Sequence, residues 1–91
     1  MSATTYQIRL KHSEGSLVRL LGLARRRRFD VTHLIAHPSP DGDFLDVQMT
    51  VESERSETVL ARQIQNLLDV THVSIVSDPS PTYAQASFAN N

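Results

Sequence analysis

Four histidines are the first residues to examine for chemistry, because imidazole binds transition metals and exchanges protons near neutral pH. They are His12, His33, His37 and His72. His33 and His37 are four residues apart, a spacing that on a helix would make a metal-binding pair. Both lie in a stretch that is typical of a β-strand, where four residues span about 13 Å, too far to chelate one ion. We therefore predict no metal site.

The acidic residues and glycines do not form a catalytic pattern either. Asp41, Asp43 and Asp46 crowd one turn, but they lack the ligand spacing and final Glu of a calcium-binding EF-hand loop. The chain has no cysteine, which excludes a disulfide scaffold and cysteine catalysis. Three glycines are too few for a phosphate-cradling loop, and no nucleophile stands beside a base. We predict a protein that is not an enzyme, with no catalytic, cofactor-binding or metal-binding residues of its own.

Four consecutive arginines, residues 25–28, form the densest charged run. Cations at the end of a helix complement its dipole, so a solvated helix end is one interpretation. Docking on an acidic partner and contact with RNA phosphates are the others. RNA-binding modules with a four-stranded sheet stack RNA bases on aromatic residues of their central strands. The third predicted strand has Asp46 in its middle, and Tyr6 is the one aromatic residue on the first, so RNA binding is the weakest of the three.

Length and composition set the class of protein. The chain has 91 residues, enough for one domain. Its formal net charge of −1 argues against a protein that coats nucleic acid or a membrane surface. No apolar run approaches the roughly 20 residues of a membrane span, and the first residues do not resemble a signal peptide. We expect a soluble cytoplasmic protein with no nucleic-acid or membrane partner.

Hydrophobic periodicity then gives the elements that must position any site. Alternation of apolar and polar residues, with period two, predicts strands, and an apolar stripe with helical spacing predicts amphipathic helices. Strands are predicted over 4–11, 29–37, 44–52 and 69–77, and helices over 16–27 and 57–68. The order βαββαβ predicts an α+β, ferredoxin-like fold, a four-stranded antiparallel sheet with two helices on one face. We assign residues 1–78 to this domain and predict that residues 79–91, rich in Pro, Ser, Ala and Asn, form a flexible tail.

Two stretches, residues 17–29 and 67–75, carry a family pattern together with the glycine that precedes the first helix. The first stretch and that glycine fit Gly-x-Leu-x-Arg, apolar-apolar-Gly-Leu and an aromatic-x-apolar strand; the second fits Leu-x-Asp-Val-x-x-Val-Ser. In both, the chain resembles the ACT-domain small (regulatory) subunit of acetolactate synthase. Its length and ending are similar to the short isozyme II type. The positions that match the first part of the pattern, in this stretch and beside it, are Gly15, Leu17, Arg19, Gly22, Leu23, Phe29 and Val31.

The resemblance implies a non-catalytic subunit that pairs with a second copy through its ACT sheet. It also implies that the chain binds and activates a large subunit, which holds thiamine diphosphate, Mg²⁺ and FAD, in the synthesis of branched-chain amino acids. The turn that enters the first helix is then the candidate amino-acid effector site, where free N–H groups can meet a carboxylate. Its residues are His12, Ser13, Glu14, Gly15, Ser16 and Leu17.

Two departures from the family pattern bear on that site. Relatives inhibited by valine have Asn at the position of His12 and usually Gly at the position of Arg28. An amide offers a donor and an acceptor from one short stem, whereas a neutral imidazole presents them in opposite directions. We therefore expect a weak response to valine or none.

The second predicted strand is the candidate dimer edge. Prolines at its end suit an edge position, and it carries little charge, unlike an edge protected against pairing. The candidate dimer residues are Val31, Leu34, Ile35 and Ala36. Two other functions stay open at this point: a free-standing ACT module that senses an amino acid for another enzyme, and, more weakly, an RNA-binding module of the same fold.

Overall fold

Six elements follow one another in the predicted order over residues 2–76, the part of the chain that the computed structural model describes. The predicted fold class is confirmed, and the predicted tail at 79–91 lies outside the described residues. The bounds are β1 Ser2–Lys11, α1 Ser16–Arg26, β2 Asp30–Pro38, β3 Phe44–Ser53, α2 Glu57–Gln65 and β4 Val70–Val76. No helix between residues 2 and 76 is long and apolar enough to cross a membrane.

The four strands form one antiparallel sheet in the order β2-β3-β1-β4. The prediction that the second strand lies at an edge is therefore confirmed, and β4 is the other edge. β1 and β3 pair along their whole length, from Ser2 opposite Ser53 to Lys11 opposite Phe44. β2 pairs with β3 in regular register from His33 to Pro38, and a bulge interrupts the ladder between Val31 and His33.

The core lies between the sheet and the two helices. Alternate residues of β1 and β3 point at the helices because side chains of a strand alternate between its faces. The buried hydrophobic residues are Tyr6, Ile8, Leu10, Leu20, Leu23, Ala24, Phe29, Val47, Met49, Val51, Leu60 and Ile64. The hydroxyl of Tyr6 donates a hydrogen bond of 2.7 Å to the carbonyl of Glu57, which fixes the first turn of α2 to the sheet.

The opposite face of the sheet is polar and carries its own cross-strand pairs. Thr5 and Thr50 join their hydroxyls at 2.9 Å. Arg9 donates to both carboxylate oxygens of Asp46, at 2.8 and 3.1 Å, and its guanidinium lies 4.9 Å from the centre of the Phe44 ring. This pair holds the pKa of Asp46 below its usual value.

The arginine run ends α1 in a defined way. Arg28 has φ of +67°, in the left-handed region that normally favours glycine. Its N–H donates to the carbonyl of Arg25, and the N–H of Phe29 donates to that of Ala24. These two bonds make a Schellman motif, with Arg28 at the position where glycine is usual. The turn directs the chain into β2 and buries Phe29.

The second helix is shorter than the sequence predicts. It ends at Gln65 rather than at residue 68, and Leu68 is 95% exposed instead of lying on the buried stripe. The N–H groups of Asn66 and Leu67 bond to carbonyls three residues earlier, which tightens the last turn. Tightening changes the helical period, so the predicted apolar stripe does not continue past Leu67.

Candidate functional site

The turn between β1 and α1 owes its shape to one glycine. Gly15 precedes α1 and has φ of +78°, and α1 receives no side-chain hydrogen bond at this end. A Cβ atom at Gly15 would lie 2.9 Å from Nη1 of Arg19, closer than real contacts allow. Both the backbone conformation and the covering side chain therefore favour glycine here.

Arg19 covers the turn because Asp69, the residue just before β4, holds it there. Nε of Arg19 donates to Asp69 Oδ2 at 2.7 Å, and Nη2 donates to the carbonyl of Glu14 at 3.1 Å. The hydroxyl of Ser13 donates to Asp69 Oδ1 at 3.2 Å. The hydrogen bond from Arg19, and then that from Ser13, lower the pKa of Asp69. These contacts, which we name the Asp69 clamp, fix the turn on both sides of Gly15.

The Asp69 clamp is absent from the sequence predictions. Arg19 and Asp69 were both present as matches to the family pattern, one in each of its two stretches. Their distance of 50 positions in the chain gave no sign that they touch. The signal available was their common presence in the pattern, and only the register of β4 against β1 brings them together.

The first turn of α1 has free polar groups that face this turn. In a helix the first N–H groups have no partner within the helix, so those of Leu17 and Val18 remain available. The hydroxyl of Ser16 is buried and has no hydrogen-bond partner within the described residues. No acidic side chain lies in the first turn of α1. The helix dipole and these donors together favour an anion, such as a carboxylate.

A cavity of about 400 Å³ opens at the same place. All six residues predicted for the effector turn line it, and the structure adds Val18 and Leu45. Leu45 comes from β3, where it lies opposite Leu10, and no local sequence signal links it to the turn. Leu17, Val18 and Leu45 give the cavity an apolar side next to its polar turn. A small molecule with a carboxylate and an apolar side chain suits that combination.

His12 is tied to the hairpin between β2 and β3. Its Nδ1 atom lies 3.2 Å from the carbonyl oxygen of Gly42, and its backbone N–H donates to the carbonyl of Asp43. One ring nitrogen is therefore engaged away from the turn, which leaves one for a ligand.

The candidate dimer residues lie on both faces of the edge strand. Val31, Leu34 and Ala36 are half-buried and pack against the core, while Ile35 is 48% exposed on the opposite face. The structure thus brings an exposed apolar side chain to a free sheet edge. Pairing of this edge with a second copy stays a prediction.

The arginine run is exposed along its length. Arg27 donates one hydrogen bond of 3.1 Å, to the side-chain oxygen of Gln63 on α2. The two ion pairs found within residues 2–76 belong to Arg9 and Arg19 instead. The run therefore lies apart from the effector turn, at the other end of α1.

Comparison with known proteins adds to this geometry. The family model of the ACT domain matches residues 12–73. The chain is 35% identical over 60 residues to the "acetolactate synthase isozyme 2 small subunit" of Escherichia coli (strain K12) and of Shigella flexneri, which covers 66% of this chain and 69% of each relative.

Solved structures show the same fold. The acetolactate synthase small subunit from Thermotoga maritima superposes with a TM-score of 0.74 at 18% identity, over 89% of this chain and 50% of that one. The chain thus corresponds to half the length of the Thermotoga subunit. The ACT domain of GTP pyrophosphokinase from Chlorobium tepidum has a TM-score of 0.64 at 14% identity, over 81% of this chain and 96% of that domain.

Proposed function

Since the chain belongs to the ACT-domain family, we propose that it is the non-catalytic regulatory small subunit of acetolactate synthase and activates a catalytic large subunit. The observation that carries the proposal is the 35% identity to isozyme 2 small subunits over two thirds of their length. Thiamine diphosphate, Mg²⁺ and FAD would be held by the large subunit. The product would serve the synthesis of branched-chain amino acids.

Activation needs no catalytic group in the small subunit. A partner that binds the competent conformation of an enzyme better than the other conformations raises the fraction of competent enzyme. The surfaces available for such binding are the exposed arginine run and the polar face of the sheet around Arg9 and Asp46.

The experiment mixes the purified chain with the large subunit of the same organism and measures acetolactate formation from pyruvate. We expect no activity from the chain alone and a saturable increase in turnover when it is added to the large subunit. A lack of effect at saturating chain concentration, with the chain folded by circular dichroism, would refute the proposal.

We further propose that two copies pair through β2 into one continuous sheet. The exposed side chain of Ile35 supports this arrangement, as does the position of β2 at the edge of the sheet formed by residues 2–76. Leu34→Pro removes a backbone donor from the edge, and Ile35→Lys places a charge at its centre. Both variants should be monomers in light scattering, whereas Val59→Lys, at an exposed position of α2, should leave the dimer intact. If both edge variants stay dimeric, the interface lies elsewhere.

The effector turn supports a second candidate, a free-standing ACT module that senses an amino acid for another enzyme. The open first turn of α1, with the unpartnered hydroxyl of Ser16 beside the cavity, is the observation in its favour. This candidate predicts tight amino-acid binding and no effect on a large subunit. The activity assay above and a calorimetric titration with amino acids together separate the two functions.

A further inference from the structure

We propose that two copies of this chain, paired through β2, form two sites for a divalent transition-metal ion such as Zn²⁺. Each site consists of His33 from one copy and His37 from the other. The separation of about 13 Å that rules out chelation within one chain therefore does not apply, since the sequence prediction of no metal site concerns one chain alone. The proposal rests on the β2 pairing of the proposed function and adds a ligand that pairing alone does not require.

The register of β2 against β3 determines which backbone groups of β2 face outward. The N–H of Ser39 donates to the carbonyl of Phe44, on β3, at 2.7 Å. In an antiparallel ladder every second residue turns its N–H and C=O toward the same neighbour. The register is regular from His33 to Pro38, so His33, Ile35 and His37 direct their backbone groups at β3. The backbone groups of Leu34 and Ala36 therefore point out of the free edge.

The register of the two copies depends on where the two-fold axis crosses β2. If the two-fold axis passes through Ile35, Leu34 of each copy lies opposite Ala36 of the other, and all outward groups of both residues are paired. An axis through Ala36 places Leu34 opposite Pro38, which has no N–H to donate. An axis through Leu34 extends the ladder into the bulge at Thr32. The axis through Ile35 also sets that exposed side chain against its own copy.

In this register the histidines meet across the interface. The side chains of His33, Ile35 and His37 share the face of the sheet away from the helices, because they alternate with the core-facing Leu34 and Ala36. His33 lies directly opposite His37 of the second copy, in a pair without backbone hydrogen bonds. Side chains are closest in such pairs, with Cβ atoms about 4.5–5.5 Å apart. Two imidazoles at that separation can reach one ion at about 2.0–2.1 Å.

The local hydrogen bonds leave a lone pair on His33 for the ion. Thr32 Oγ1 donates to the carbonyl of Thr50, at 3.4 Å, so its oxygen is available to accept from His33. His33 Nδ1 lies 3.2 Å from that oxygen, and the tautomer with its proton on Nδ1 donates there and keeps the lone pair of Nε2 for the ion. A second hydrogen bond of this kind orients a metal-binding imidazole and raises its basicity.

The charged groups around the histidines do not oppose a cation. Asp46, on β3, lies opposite His37. It forms an ion pair with Arg9, and the Arg9–Asp46 pair has no net charge. Thr50, opposite His33, is neutral. Imidazole ligands suit Zn²⁺, Cu²⁺ and Ni²⁺, whereas Mg²⁺ prefers oxygen ligands.

The first test measures dimerisation by analytical ultracentrifugation of the full chain, with ZnCl₂, with MgCl₂ and without metal. Each site multiplies the association constant by 1 + [Zn²⁺]/Kd, so zinc at ten times its Kd should tighten a dimer with two sites about 100-fold. Mg²⁺ should have no effect. His33→Ala and His37→Ala should remove the zinc effect, and His72→Ala, an exposed histidine on β4, should keep it.

The second test checks the register without metal. Because the chain has no cysteine, the double variant His33→Cys/His37→Cys should form an inter-chain disulfide under mild oxidation. Each single variant should not, because identical positions lie about 13 Å apart in this register. A cross-linked double variant without any zinc effect on the native chain overturns the metal site but keeps the pairing. Absence of the cross-link overturns both the pairing and the site. A zinc effect that survives His33→Ala overturns the site alone.

Discussion

Gly15→Ala separates the two reasons for glycine at the effector turn. A residue with a Cβ atom in the left-handed region costs about 1–2 kcal/mol. Gly15 has φ of +78°, so alanine should lose at least this much stability. The new Cβ atom would also lie 2.9 Å from Nη1 of Arg19, so the guanidinium must shift, which weakens the bond of its Nε atom to Asp69.

The chain contains a matched control for the first cost. Gly42 has φ of +79°, and a Cβ atom there would meet nothing within 4 Å. Gly42→Ala should therefore show the conformational cost alone. Each kcal/mol lowers the melting temperature of a domain of this size by about 4–8 °C. We expect both variants to melt lower than the native chain, and Gly15→Ala to melt lower than Gly42→Ala.

The measurement is thermal unfolding followed by circular dichroism, repeated in an Asp69→Asn background. Asp69→Asn weakens the Asp69 clamp beforehand, so the difference between the two alanine variants should shrink there. Equal melting temperatures for Gly15→Ala and Gly42→Ala in the native background would refute the role given to Arg19. Unchanged stability in both variants would refute the backbone argument as well.

Further predictions concern three separate parts of the molecule. Arg28→Gly should stabilise the chain by about 0.5–1 kcal/mol in urea unfolding, because it relieves a left-handed residue just after α1, whereas Arg26→Gly, at the last helical residue, should destabilise it. Tyr6→Phe should cost about 1–3 kcal/mol by the same assay, because the carbonyl of Glu57 loses its donor. Burial raises the pKa of Tyr6 to about 12, so the native chain should lose stability between pH 10 and 12, where the unfolded phenol ionises first, and Tyr6→Phe should lose less. His12→Asn should tighten valine binding in calorimetry by roughly 30- to 1,000-fold, the equivalent of about 2–4 kcal/mol for one polar partner of a charged ligand; a low-micromolar Kd for the native chain would contradict the role given to His12.

The elements could be predicted from the sequence because their periodicity is strong. β1 and β3 alternate cleanly over their length, and both match the predicted strands to within two residues. The end of α2 could not be predicted in the same way. Leu67 and Leu68 continue the apolar composition, but the last turn tightens and leaves Leu68 in solvent. Composition does not record which hydrogen-bond spacing a helix adopts at its end.

The candidate site could also be predicted from the sequence only in part. Local signals predict the candidate effector turn, since Gly15 follows a strand and precedes a helix. The residues that surround the turn come from elsewhere: Leu45, which lines the cavity, from β3, and Asp69, which bonds Ser13, from the position just before β4. Such contacts depend on strand register, and periodicity gives the face of a residue but not its opposite neighbour.

The Asp69 clamp has a consequence for the order in which the molecule assembles. It joins the first turn of the chain to the beginning of the last strand, 50 positions away. Closing so long a loop costs entropy that short-range contacts do not. The effector turn can therefore reach its final shape only after β4 has docked on β1. Any local opening that releases β4 also releases the turn, so ligand bound at the turn should slow amide hydrogen exchange along β4.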